Sequence, residues 1–109
     1  MDIEKLRSTY LPMTETGYCI LLSLVEKRHG YGIMQYVEGL TKGRIKLGAG
    51  TLYGSISRME KDKLIKSAGE EERRKLYQLT EQGRILLGLE IQRLKELYEI
   101  GAGMEEVLK

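Results

Sequence analysis

The chain contains neither Trp nor Phe, and only one Cys, one His and one Pro among its 109 residues. A lone thiol excludes an intramolecular disulfide, and Cys19 with His29 cannot supply the Cys/His cluster of a structural zinc site, so neither metal nor cofactor is expected. No apolar run approaches the roughly eighteen residues of a membrane-spanning helix. The acidic start Met1-Asp2-Ile3-Glu4 lacks the basic flank of a secretory signal, and a cytoplasmic location is expected. Nucleotide-cradling glycine patterns and nucleophile signatures are missing, and the scattered Glu residues form no recognisable catalytic pair; the chain does not read as an enzyme. Internal repeats and low-complexity tracts are absent as well.

What is present suits one small soluble domain, 41% hydrophobic and 31% charged. Its core must come from Leu, Ile, Val, Met and Tyr, and a chain this short that exposes an apolar helix gains by pairing with a second copy. The net charge of +2 conceals a segregation. Residues 1–41 carry four Lys/Arg against five Asp/Glu, residues 42–79 ten against five, and residues 80–109 four against six. A basic middle between mildly acidic ends fits a face that meets a polyanion, although a solvated charged surface would look similar.

Asp2–Tyr10 reads as a short helix, and Pro12 interrupts the chain after it. Thr14 is placed to cap a first central helix running to about Arg28, with Cys19 as a small buried residue inside it. His29-Gly30-Tyr31-Gly32 breaks that helix, and Ile33, Met34, Val37 and Leu40 recur at helical spacing. Arg44-Ile45-Lys46-Leu47 alternates basic with apolar like a half-buried strand. From Thr51, the stripe Leu52, Ile56, Met59 marks a third helix ending near Lys63. Leu64–Ala68 and Arg73–Leu79 read as a hairpin around an exposed turn at Gly69–Glu72. The last helix begins at Thr80 and carries two apolar seams: Leu87, Ile91, Leu94, Tyr98 and Leu86, Leu89, Leu97, Ile100. One seam can pack on the domain. The first is assigned to a second chain, although the sequence leaves open which of the two is intermolecular.

This order is that of a mainly α chain with a small β-hairpin wing, a winged helix-turn-helix. Residues 1–79 form the reading domain, with 1–12 as an N-terminal arm, and 80–109 the C-terminal dimerisation helix. With Leu52, Ile56 and Met59 inward, Gly50, Gly54, Ser57, Arg58 and Lys61 fall on the outer face, flanked by Thr51 and Tyr53. Each interior Gly costs a helix about 1 kcal/mol relative to Ala, so an ordinary solvent face would not use two. A face laid in a major groove would: small residues let the backbone come close, and an Arg can bond guanine bidentately. Arg73, Arg74 and Lys75 stand where a wing meets phosphates, unless the neighbouring Glu70, Glu71 and Glu72 neutralise them. Tyr31 either hydrogen-bonds a phosphate or packs half-buried. His29 is read as a helix-end residue with no chemical role.

His29-Gly30-Tyr31-Gly32-Ile33, Gly50-Thr51-Leu52-Tyr53, Arg58-Met59-Glu60-Lys61-Asp62 before Leu64-Ile65, and Arg73–Thr80 with Gly83 occur in order, and together resemble the PadR family of bacterial transcriptional regulators over residues 11–85. The single terminal helix is similar to that of the short subclass. The resemblance implies dimers joined through this helix and the N-terminal one, usually repression, helix Thr51–Lys61 in the major groove, and Arg73, Arg74 and Lys75 near phosphate. Lys63 stands where the family commonly has glycine, and Leu76 where a tyrosine is frequent. Some relatives hold flat apolar compounds between the terminal helices, often against a Trp that this chain lacks.

The expectation is a homodimeric repressor of a pseudo-palindromic site on double-stranded DNA, with a small apolar effector as a further partner. The alternative is a small-molecule-sensing or protein-interaction module of the same fold with little DNA affinity.

Overall fold

Four of the helix starts in this chain, at Asp2, Thr14, His29 and Thr80, are set by side chains that accept from orphan backbone N–H groups. The structure, a computed structural model, describes residues 2–109. The Asp2 carboxylate accepts from the Lys5 N–H (2.8 Å) and opens α1, Ile3–Tyr10. The Thr14 hydroxyl accepts from the Gly17 N–H (3.0 Å) and opens α2, Glu15–Ser23. This helix is shorter than its apolar run suggests, because Leu24 turns out of it and Arg28–His29 form a two-residue strand, β1. His29 Nδ1 then caps α3, Gly30–Leu40, accepting from the Gly32 N–H at 3.0 Å. Helix α4, Ala49–Lys61, starts at Gly48 without a side-chain cap. Lys63 closes it at φ +60, while the Leu64 N–H reaches back to the Met59 carbonyl (2.9 Å). That left-handed backbone explains why glycine suits the position.

Strands β2, Ile65–Glu71, and β3, Arg74–Leu79, form the hairpin, and the sheet order is β1-β3-β2, antiparallel throughout. The expected strand over Arg44–Leu47 does not form. Ile45 and Leu47 are half-buried against the core, so their alternation with Arg44 and Lys46 reflects a loop lying on a greasy surface without a pairing partner. The hairpin turn is also tighter than expected. Glu71 pairs with Arg74, leaving Glu72 (φ +50) and Arg73 (φ +65) as a two-residue loop of the primed kind that matches strand twist. Gly69, at φ +104, takes up the register shift between Ser67 and Glu70.

The core joins α1, α2, α3, α4, the sheet and the first turns of α5 (Glu81–Ala102) around Leu6, Ile20, Leu21, Leu24, Ile33, Val37, Leu52, Ile56, Leu64 and Leu86. Thr80 seals the sheet to α5. Its hydroxyl caps the Gly83 N–H (3.0 Å) and contacts the Lys63 carbonyl oxygen at 2.6 Å, and its N–H donates to the Leu64 carbonyl (3.0 Å). A Cβ on Gly83 would overlap that same carbonyl oxygen, so the helix can approach the strand only with glycine there.

Beyond Glu90 the burial of α5 falls away: Arg93 and Leu94 are half-buried, Gln92, Arg93 and Glu96 border a groove with Arg7, Leu11 and Pro12, and Leu97 to Ile100 are exposed. The radius of gyration is 15.3 Å with a long axis of 53 Å, against about 13 Å for a sphere-like chain of this length. The two-seam expectation for this helix is corrected accordingly. Leu86 and Leu87 are both core residues, so Leu87 is unavailable to a second chain, whereas Ile91, Leu97, Tyr98 and Ile100 are exposed on the overhang and Leu94 is half-buried. The division between inner and outer runs along the helix, because only its first turns lie over the domain. A last short helix, α6 (Glu105–Leu108), follows the turn after Gly103. Among the described residues no helix is long and apolar enough to cross a membrane.

The departure point of α5 is fixed by a buried acid. Glu90 is 1% exposed, accepts from the Met13 backbone N–H (2.8 Å), and is bonded by Arg93 at 2.5 and 3.0 Å. The Arg93 guanidinium, helped by the Met13 N–H, holds this carboxyl below its ordinary range despite burial. The α1–α2 link is thereby tied to α5.

Candidate nucleic-acid interface

The α4 helix buries Leu52, Ile56 and Met59 and turns Gly50, Gly54, Ser57, Arg58 and Lys61 outward. Nothing lies within 4 Å of where a Cβ would stand on Gly50 or Gly54. Along the crest the helix is therefore low, and only Lys61 and Arg58 reach far from it. Two flanks border this crest. On one, Tyr53 is half-exposed and leans its hydroxyl over Gly30, where any side chain would collide with it. On the other, Ser55, Arg58 and Asp62 face α1, and Thr51 lies on that side of the crest.

The wing lies against the Tyr53 flank. His29, Gly30, Tyr31, Tyr53, Arg73, Arg74, Lys75 and Tyr77 line one open cleft between α3, α4 and the hairpin. The Arg74 guanidinium sits 6.0 Å from the Tyr31 ring centroid and 3.3 Å from His29 Nε2, and Lys75 lies 3.9 Å from the Glu60 carboxylate. Among the described residues, the acidic triplet Glu70, Glu71, Glu72 makes no ion pair with Arg73, Arg74 or Lys75. All three basic residues are exposed, and exposed contacts such as the one to Glu60 are worth only about 0–1 kcal/mol, which a phosphate would readily displace.

His29 is the helix-end residue its sequence suggests, the N-cap of α3. Its Nδ1 is occupied as an acceptor by the Gly32 N–H, so the neutral ring carries its proton on Nε2. That nitrogen and the Arg74 guanidinium are then two donors turned toward one another, an arrangement a shared anionic oxygen would satisfy. The signal was present in the sequence only as a helix boundary. Tyr31 is 55% exposed, with the Arg74 guanidinium 6.0 Å from its ring centroid. Tyr10 and Asp62 had no signal: a 2.5 Å hydrogen bond joins them across 52 positions of sequence.

Cys19 is buried, and burial pushes its thiol pKa up, the reverse of what a reactive cysteine needs. No group of three or more potential metal ligands occurs among the described residues.

Helices α2, α3 and α4, with α4 exposed beside a three-stranded sheet whose hairpin protrudes, define a winged helix-turn-helix protein. Comparison with known proteins narrows the class. The model of the transcriptional regulator PadR-like family matches residues 20–89, and the chain belongs to that family. A PadR-like transcription factor from Bacteroides fragilis superposes with a TM-score of 0.68 at 29% identity, over 93% of this chain and 95% of that one. A PadR family transcription regulator from Clostridium difficile gives a TM-score of 0.70 at 26% identity, over 88% and 100%. An uncharacterized 37.1 kDa protein in transposon TN4556 of Streptomyces fradiae is 36% identical over 69 residues, 63% of this chain. The chain spans 19% of the length of that curated relative.

Proposed function

We propose that this PadR-like regulator acts as a cytoplasmic homodimer that places two α4 helices in successive major grooves of a pseudo-palindromic DNA site and represses transcription there. Residues 1–79 read the site and residues 80–109 join the two copies. The observation that carries the reading is the low crest of α4 bordered by cations on both sides: Gly50, Gly54 and Ser57 permit close approach, Arg58 and Lys61 reach beyond them, and the wing adds Arg73, Arg74 and Lys75. Arg58 contributes base preference through its paired donors. The wing cations, the His29–Arg74 donor pair, Tyr31 and Lys61 hold the backbone, with Thr51 and Tyr53 on either side of the crest.

The exposed overhang of α5, with Ile91, Leu97, Tyr98 and Ile100, supports assembly with a second copy, since apolar side chains so concentrated are not left in water by a monomer. Selection of bound sequences from a random duplex pool tests the whole reading. A palindromic consensus is expected, and failure to enrich any sequence would refute it. Arg58→Ala should relax preference at one base pair per half-site, while loss of a wing cation should weaken all sequences alike.

A further inference from the structure

Arg58 lies in the last turn of α4 and Asp62 is its C-cap, an i,i+4 spacing at which an arginine and a carboxylate can meet. The C-terminal end of a helix also makes an acid there seek a cation, because the backbone dipole is negative at that end. Yet no ion pair joins them among the described residues. Tyr10, from the last turn of α1, lies between. Its hydroxyl donates to an Asp62 carboxylate oxygen at 2.5 Å, and its ring lies 5.1 Å from the Arg58 guanidinium. The phenol is half-buried, and burial together with this bond to Asp62 pushes its pKa up to about 12 against the lowering influence of the adjacent Arg58 guanidinium, so it remains a donor at any working pH.

We propose that Tyr10 is a positioning residue for base recognition: by occupying Asp62 and offering its ring to the guanidinium, it keeps Arg58 from folding onto the acid and leaves its donors free for a base edge. The proposal rests on the reading of α4 as the groove-binding helix. Its chemistry is simple competition for one carboxylate. With the hydroxyl present, Asp62 is satisfied by a neutral donor and Arg58 rests against the same tyrosine, its guanidinium 5.1 Å from the ring centroid and in reach of the hydroxyl oxygen, which leaves its remaining donors open. Without it, an unsatisfied acid stands one turn from the arginine and captures it.

The test removes the hydroxyl and then the acid. Tyr10→Phe keeps the ring and should lower discrimination at the base pair read by Arg58 about tenfold, the range of one lost bidentate contact, while affinity for random duplex and its salt dependence stay as in the parent. Adding Asp62→Asn to Tyr10→Phe should restore discrimination, because the capturing charge is gone. A merely structural role for Tyr10 predicts the opposite, with the double variant no better than the single. Arg58→Ala run in parallel separates the two layers. If it leaves base preference unchanged, the groove-binding reading fails and this proposal with it; if it relaxes preference while Tyr10→Phe does not, only the positioning role is overturned. A measurement on the unaltered protein guards against a variant that unfolds: ring-current upfield shifts of the Arg58 side-chain protons are expected, and random-coil values would overturn the proposal.

Discussion

Arg73 offers the cleanest measure of how the wing engages nucleic acid. It is exposed at the tip of the hairpin, makes no ion pair among the described residues, and adopts φ +65. Alanine at such a φ would strain the turn and confuse loss of charge with loss of the wing, whereas asparagine tolerates the left-handed region. Arg73→Asn therefore removes one cation per protomer and leaves the hairpin standing. In a twofold complex two phosphate contacts disappear, and each contributes about 0.9 to the slope of log K against log salt, so the slope should flatten by about 1.8. At about 0.15 M salt the same two contacts amount to roughly 1.5 decades, or about a thirtyfold weaker complex. The loss should be equal for the selected site and for random duplex. Fluorescence anisotropy on both duplexes at several salt concentrations, with circular dichroism to verify the fold, measures each quantity. An unchanged slope would remove the wing from the interface, and a loss confined to the selected site would make Arg73 a base reader.

Three other perturbations separate binding, stability and assembly. Gly54→Leu fills open space on an exposed helix and should raise unfolding stability by up to about 1 kcal/mol, while blocking close approach to DNA; thermal melts and duplex titrations should move in opposite directions, and undiminished affinity would take the crest of α4 out of the groove. Glu90→Gln weakens the charge-assisted bonds to Arg93 and Met13 and should cost about 1.5–3 kcal/mol by denaturant melts. Because the Glu90 pKa is lowered by folding, the parent should carry this stabilisation in full above the ordinary carboxyl range and lose it as pH falls through the folded value, a component the Gln variant should lack; identical acid profiles would show that Glu90 gains nothing from its surroundings. Leu97→Asp places a charge on the α5 overhang where the parent side chain is 50% exposed, and sedimentation should find monomers with unchanged intrinsic stability; intact dimers would move the interface elsewhere.

Elements with a strong internal period were legible before any coordinates. The Leu52, Ile56, Met59 stripe, the Thr14 and Thr80 caps and the returning arm of the hairpin stand as the sequence implied, since each depends on neighbours within one or two turns or strands. The third strand was misplaced for a physical reason. A two-residue strand has no period to read, and Arg28–His29 are strand only because β3 presents Tyr77 and Leu76 to them. Arg44–Leu47 had the period but no partner. On α5, hydrophobic spacing showed that both faces were apolar, but where the helix leaves the domain is fixed by Glu90 meeting Met13, a contact spanning 77 positions. The candidate interface divides in the same way. The crest of α4 follows from 100° per residue, while the pairing of His29 with Arg74 and of Tyr10 with Asp62 comes from tertiary packing.

The anchoring of α5 at Glu90 makes the last turns of that helix a boom fixed at one end. From Glu96, which still borders Arg7, Leu11 and Pro12, to Ala102 it extends about 9 Å, so swinging it by some twenty degrees displaces its tip by about 3 Å, close to the 3.4 Å spacing of successive base pairs. In a twofold assembly clasped by these booms, the angle at which they cross would govern how many base pairs separate the two half-sites, independently of the residues that touch the bases.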